Sequence, residues 1–272
     1  MKNVIPIWCL FFIFTVLACQ KDQLPTKILR QYQYTAEVTW KADGALVRLA
    51  NPLGCSLRIW VNSNLNDALA RRINPLVVAP QTDTTFVLPW AKDQITFSSR
   101  LGDTTTRVQP IPLGLPFPKG KEYRVLQGNQ TNFTHKGPYA AFALDFDMAE
   151  GDTISSATSG IVVGVVQAYT KGGKDPKWRD YSNYLTVFDP QSGFFTQYAH
   201  LTLNGSLVEV GDTVSLGQPI GLAGSTGHST TPHLHFACLV PAHSSEGLKS
   251  IPFRFHTSHI STQLKIGDVL SW

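Results

Sequence analysis

The 272-residue chain is poor in charge, in cysteine and in long apolar runs. Lys, Arg, Asp and Glu supply 15% of it, 23 cations against 19 anions, for a formal charge of +4. So mild a balance, with no basic block, leaves no electrostatic footprint for nucleic acid, and none is expected as a partner. The longest apolar stretch, Val4 to Ala18, is interrupted by Pro6 and Thr15 and falls short of the ~18 residues that cross a bilayer. Behind the single cation Lys2 it has the length of a signal-peptide core, so residues 1–18 are read as a leader. Of four cysteines, Cys9 lies in that leader and Cys19 follows it, which leaves Cys55 and Cys238 in different parts of the chain. Two thiols so placed build no disulfide framework, and both are expected to be free and buried.

What the chain does have is 21 Gly, 17 Pro and runs of Val, Ile, Thr, Phe and Tyr. That composition suits a turn-rich β protein and excludes a coiled coil or a disordered chain. The length allows two domains. Short alternating runs fill residues 34–107: Tyr34–Trp40, Ala45–Ala50, Cys55–Val61, Thr84–Trp90 and Gln94–Ser98, with a helical turn over Asn66–Ile73. They predict a β-sandwich, and since nothing there clusters His, Cys or carboxylates, a module that binds or spaces. Residues 108–121 carry Pro110, Pro112, Pro116 and Pro118, which is the composition of a stiff, extended linker.

Beyond it the turn Gly151-Asp152-Thr153-Ile154-Ser155 returns as Gly211-Asp212-Thr213-Val214-Ser215, so two related halves are implied. The division expected is a leader (1–18), a tether (19–33), the sandwich (34–107), the linker (108–121), a second β domain (122–241) and a strand extension (242–272). The fold class expected is all-β.

Val16-Leu17-Ala18-Cys19 resembles the lipobox of bacterial lipoproteins, and Cys19-Gln20-Lys21-Asp22-Gln23 resembles a surface-export signal. The resemblance implies a lipid on Cys19, a membrane anchor, and a place in the cell envelope on the periplasmic or outer face of the outer membrane. Ordinary secretion with cleavage after Ala18 is the alternative. Several acyl chains anchor stably where one does not, at ~0.8 kcal/mol per methylene.

Candidate chemistry is confined to the second half. Thr231-Pro232-His233-Leu234-His235-Phe236 places two imidazoles on one face of a strand, with Leu234 and Phe236 on the other. An isolated pair of this kind is as readily two satisfied polar side chains. Here Asp145 stands in the apolar run Phe142–Phe146, where a carboxylate is costly to bury unless it meets a cation. His200 closes Tyr198-Ala199-His200-Leu201, and His135 follows Thr134. His228, His243, His256 and His259 are read as ordinary loop residues.

Residues 119–241 resemble the lysostaphin and LytM type of zinc endopeptidase, which cuts peptide bridges of bacterial cell walls. The motifs that carry the resemblance are His135 and Asp145, the turn Gly151–Ile154, Asn183, Tyr198–Leu201, Gly211–Gly221 and Ser225–Phe236. It implies an antiparallel β domain of duplicated hybrid motif type, one Zn2+ per chain and peptidoglycan peptides as substrate. Carried over by position, His135, Asp145 and His235 are the metal ligands and His200 and His233 the catalytic histidines. Three protein ligands leave a fourth position for water, as catalytic zinc sites do. Which histidine is the general base is open. Ala141 stands four residues before Asp145, where the commonest form of the family has its first His; the Lys136–Ala140 loop must therefore carry His135 back to the site. A catalytically inactive wall-binding or hydrolase-activating protein of the same fold is the alternative function. A biotinyl- or lipoyl-type carrier is disfavoured, because no exposed Lys tip joins the halves.

Overall fold

A computed structural model describes residues 24–25, 34–63, 67–89, 94–131 and 134–272. The expected leader, Cys9, Cys19 and nearly all of the tether lie outside the described residues. Among the described residues no helix is long and apolar enough to cross a membrane.

The N-terminal part forms strands β1 (Thr35–Lys41), β2 (Gly44–Asn51) and β3 (Leu57–Ser63), helix α1 (Asp67–Ile73), then β4 (Leu76–Val78), β5 (Thr82–Leu88) and β6 (Ile95–Leu101). Two three-stranded antiparallel sheets result, ordered β1-β2-β5 and β4-β3-β6. Alternation explains the pairing of the sheets: Val47 and Leu49 of β2 and Leu57, Ile59 and Val61 of β3 are fully buried between them. This is the expected sandwich, with β4 as a strand that the sequence pattern did not reveal.

The second part contributes β7 (Glu122–Gln127), the short helix α2 (Gly137–Ala140), β8 (Leu144–Phe146), β9 (Thr153–Ser155), β10 (Gly160–Val166), β11 (Tyr184–Phe188), β12 (Phe195–Ala199), β13 (Leu201–Ser206), β14 (Thr213–Val214), β15 (Pro219–Ala223), β16 (Leu234–Pro241), β17 (Leu248–Ser250) and β18 (Val269–Ser271). Nine of these strands form a large antiparallel sheet ordered β14-β10-β11-β12-β16-β8-β7-β18, with β17 also pairing β16. A small sheet, β13-β15-β9, packs on it. Side chains alternate across the large sheet. Leu144, Phe146, Leu185, Val187, Tyr198, Leu234 and Phe236 point to the core shared with the small sheet.

The opposite face carries Asp145 and His235 at one end and Phe195, Ala237 and Leu239 at the other, and these last three share a core with the sandwich. His235 and Leu239 are four residues apart on one strand, about 13 Å. The sandwich therefore does not hang from a tether; it covers part of the sheet face that bears the candidate site. Buried Arg58 joins the two bodies by donating to the carbonyls of Leu101 and Gly102 on one side and Ala242 and Gly247 on the other.

The proline-rich segment 108–121 is extended, but composition conceals its role. Leu113, Leu115 and Phe117, set between the prolines, are fully buried in the large core, so the segment packs where a solvated linker would not. The Gly-Asp turn is used three times. Asp152, Asp212 and Asp268 each accept a hydrogen bond from the backbone N–H three residues earlier, at 2.8 Å, and each preceding glycine has a positive φ (Gly151 87°, Gly211 102°, Gly267 96°). Ile154, Val214 and Leu270, two residues after each Asp, then enter the core. Cys55 and Cys238 are free and buried, as composition predicted.

Candidate metal centre

Three strands and one loop deliver the site. Asp145 of β8 pairs in register with His235 of β16, and β7 brings Gln127 opposite Asp145. His135 arrives from the loop after β7. Lys136–Ala141 closes into the single turn of α2, with Gly137 at φ 70° and the Ala141 N–H donating to the Gly137 carbonyl, and so absorbs the extra length before β8.

His135 Nε2, Asp145 Oδ1 and His235 Nδ1 lie at the corners of a small triangle, with sides of 3.1, 3.2 and 2.9 Å. Among the described residues this trio is the group of His, Cys and carboxylate side chains close enough to share a metal ion. Tetrahedral ligands at roughly 2.0 to 2.2 Å from a metal are about 3.3 to 3.6 Å apart, so the donor set fits zinc after a slight expansion. His135 and Asp145 are buried, at 1% and 4% exposure. The His135 Nδ1–H donates to the Gly128 carbonyl at 2.7 Å, which fixes the tautomer and leaves Nε2 as the donor atom for a cation.

The other two histidines are held in the same manner. His233 Nδ1 donates to the Thr231 carbonyl and His200 Nδ1 to the Thr226 carbonyl, both at 2.7 Å. In each ring Nε2 is left with its lone pair. The His200 and His233 rings are 4.6 Å apart, and His233 Nε2 lies 3.8 Å from Asp145 Oδ2. His200 has φ 67°, a left-handed conformation that a non-glycine residue holds only when its surroundings impose it. The surroundings are Asn183, fully buried, whose side chain donates to the Tyr169, Leu201 and Thr202 carbonyls, and Thr226, which accepts from the Asn183 N–H and donates to the Leu201 carbonyl. Sequence reading singled out Asn183 by resemblance alone, and missed Thr226 and Ser182, whose hydroxyl receives the His200 N–H at 3.2 Å. The Ser-Thr-Gly segment 225–227 was the available signal.

Electrostatics separate Asp145, His135, His235 and His200. Burial works against ionising Asp145, but hydrogen bonds from His135 and His235 outweigh it and hold the carboxyl well below the usual range. Burial likewise opposes charge on His135, yet Asp145 and the Gly128 carbonyl leave its pKa raised. His235 is pushed down by burial, despite Asp145. His200 is pushed well down, by burial first and then by its neighbours His233 and His235, and is neutral at pH 7. A cavity of about 230 Å³ opens beside the trio, lined by Gln127, Thr134, Asp145, His233 and the turn His228–Thr231. His228 sits on its rim, bonded through Nε2 to the Lys174 carbonyl at 3.0 Å. His243, His256 and His259 take no part in the trio.

Residues 140–245 match Peptidase family M23. That segment is a peptidase family M23 domain. The match begins after His135, so that residue joins the M23 centre on geometry. An uncharacterized metalloprotease of Buchnera aphidicola subsp. Baizongia pistaciae is 32% identical over 132 residues, covering 47% of this chain and 32% of the relative. Lysostaphin of Staphylococcus simulans is 33% identical over 106 residues (38% of this chain, 19% of the relative), and a solved structure of it aligns with a TM-score of 0.35 at 28% identity over 47% of each chain. The peptidoglycan DD-endopeptidase ShyA of Vibrio cholerae is 32% identical over 106 residues, 39% of this chain and 22% of the relative. The similarity thus spans about a third of the first relative and about a fifth of the others.

Proposed function

We propose that this chain is a zinc metalloendopeptidase that hydrolyses peptide cross-links or stem peptides of bacterial peptidoglycan. The observation that carries the reading is the convergence of His135 Nε2, Asp145 Oδ1 and His235 Nδ1 within 3.2 Å of one another, beneath two more histidines with fixed tautomers. His135, Asp145 and His235 would hold one Zn2+, which when bound would supply Lewis acidity to polarise a carbonyl and lower the pKa of a water to about 7. The chain's own groups do the rest. His233, its Nδ1 bonded to the Thr231 carbonyl and its Nε2 turned to the trio, accepts a proton from the attacking water and can return it to the leaving amine. His200, kept neutral and rigid by Thr226 and Asn183, offers the lone pair of its Nε2 as an acceptor that can orient the attacking water.

The rim supports a substrate with free carboxylates. Lys171, Lys174, Lys177 and Arg179, against Asp175 and Asp180, belong to the loop between β10 and β11 and leave it net cationic, and that loop docks on the site through the Gly172–Gly227 bridge and the Gly173 N–H to Gly227 carbonyl bond of 2.9 Å. Such a rim raises the local concentration of an anionic peptide. The lipobox-like Cys19 supports a lipid-anchored position in the envelope, beside the wall.

The test is digestion of purified peptidoglycan sacculi with and without a metal chelator, together with zinc analysis. One zinc per chain and chelator-sensitive release of peptides are expected. Zinc well below one per chain, with no cleavage, overturns the reading in favour of a wall-binding protein of the same fold.

A further inference from the structure

A cavity of about 340 Å³, larger than the one at the metal centre, lies on the outer face of the N-terminal sandwich. Trp60, Asn62, Ser63, Ala70, Arg71 and Asn74 line it. Its origin is the alternation of β3: Leu57, Ile59 and Val61 fill the sandwich core, which sends Arg58, Trp60 and Asn62 to the opposite face. Opposite them on β6 stand Arg100, Ser98 and Thr96. Trp60 is therefore a large aromatic group, partly buried, on a face whose paired β6 residues are polar.

The platform is built to stay in place. The Arg58 guanidinium sits over the indole at 5.8 Å and is itself tied to four backbone carbonyls, so it braces one side of the ring. Asn62, two residues further along the same face, flanks the side that opens into the cavity. Asn74, on the far wall, has its amide locked to β3, accepting from the Val61 N–H at 2.9 Å and donating to the Val61 carbonyl at 2.7 Å. A flat indole framed by an amide, a hydroxyl and a guanidinium, with Ala70 as the aliphatic wall among the described residues, is a poor site for an apolar ligand. It suits a molecule with one C–H face and a rim of hydroxyl and amide groups, which describes a pyranose bearing an acetamido substituent. The volume is at the lower end of the range for small-ligand sites of roughly 300 to 1,000 Å³, enough for one or two sugar rings.

We propose that this cavity is a saccharide-binding subsite for an N-acetylated amino-sugar chain, stacked on Trp60. The identification of that chain with the wall glycan rests on the proposed function; the pocket chemistry does not. Because Arg58 also grips the Ala242 and Gly247 carbonyls beyond β16, the strand that carries Trp60 is fastened to the second part of the chain.

The experiment is calorimetric titration of the full chain with tetra-N-acetylchitotetraose. The expected result is saturable binding that is unchanged by chelator, at least tenfold weaker in Trp60→Ala and several-fold weaker in Asn62→Ala, whose exposed side chain can be removed without unfolding β3. Absence of binding by the unsubstituted protein, or equal affinity in Asn62→Ala and a folded Trp60→Ala, overturns the subsite. Saccharide binding without any cleavage of sacculi leaves the subsite standing and removes the peptidase reading. Chelator-sensitive cleavage without saccharide binding does the reverse.

Discussion

The two faces of the nine-stranded sheet obey different rules. The inner face is a continuous apolar layer, from Phe146 and Phe236 to Tyr198 and Val187, closed by the small sheet. The outer face is divided: one end is left open and holds His235, Asp145 and His233, while the other end, at Phe195 and Leu239, is roofed by the sandwich. Between the two ends lies a strip of small and polar groups, where Gln197 accepts from the Tyr139 hydroxyl at 2.9 Å and donates to Thr186 at 3.2 Å. A sheet face can stay open to substrate only where its residues tolerate water. The apolar rows beyond must be covered, and here an additional module covers them.

The comparison can be broken at several points. The largest effect is expected at the open end. Asp145→Ala removes the one anion of the trio, and turnover on sacculi is expected to fall by on the order of a thousandfold or more, with zinc content reduced in parallel. Retention of both would show that the open end is not the catalytic one. On the inner face, Phe236→Ala leaves a void in a fully packed core and is expected to lower unfolding free energy by about 3 to 5 kcal/mol, read from urea midpoints. On the roofed part, Leu239→Ala is expected to cost about 2 to 5 kcal/mol, nearly as much as the inner-face change. A cost below about 0.5 kcal/mol, as for a surface site, would mean that the sandwich leaves the sheet in solution.

Smaller effects sharpen the picture. Thr226→Val deletes the hydroxyl that links Asn183 to Leu201, and about 1 to 3 kcal/mol of stability is expected to go with it. Because the His200 backbone depends on that link, turnover is expected to drop 10- to 100-fold as well. Least affected are the thiols. Burial pushes Cys55 up to about 12 and Cys238 further in the same direction, so neither is ionised between pH 7 and 9. Iodoacetamide is expected to leave both unmodified in the native protein over that range and to label both in urea, by mass spectrometry.

Much of this was legible in the residues, for reasons that differ by element. His233 and His235 declared themselves because a period of two maps directly onto one strand face. Asp145 did so because a carboxylate in an apolar run needs a partner, and two imidazoles supply it. The Gly-Asp turns were legible as a local pattern, although the third, at Gly267, revealed its kinship only through the identical hydrogen bond. Composition misread residues 108–121, since prolines suit a linker and an extended packed segment equally, and only tertiary contacts bury Leu113 and Phe117. Arg58 was illegible as a brace because its carbonyl partners are up to 189 residues away. The left-handed backbone of His200 has no sequence signature either, since Asn183 and Thr226 impose it from a distance.

That residue has a mechanical consequence. At His200 the chain leaves the large sheet, where β12 ends, and enters the small one, where β13 begins. Its imidazole is mounted at the crossing, with Ser182 beside the large sheet and Thr226 following the small one as its two supports. Any sliding of one layer over the other would register at this ring before it disturbed the rest of the centre, which makes His200 a gauge of shear between the two sheets.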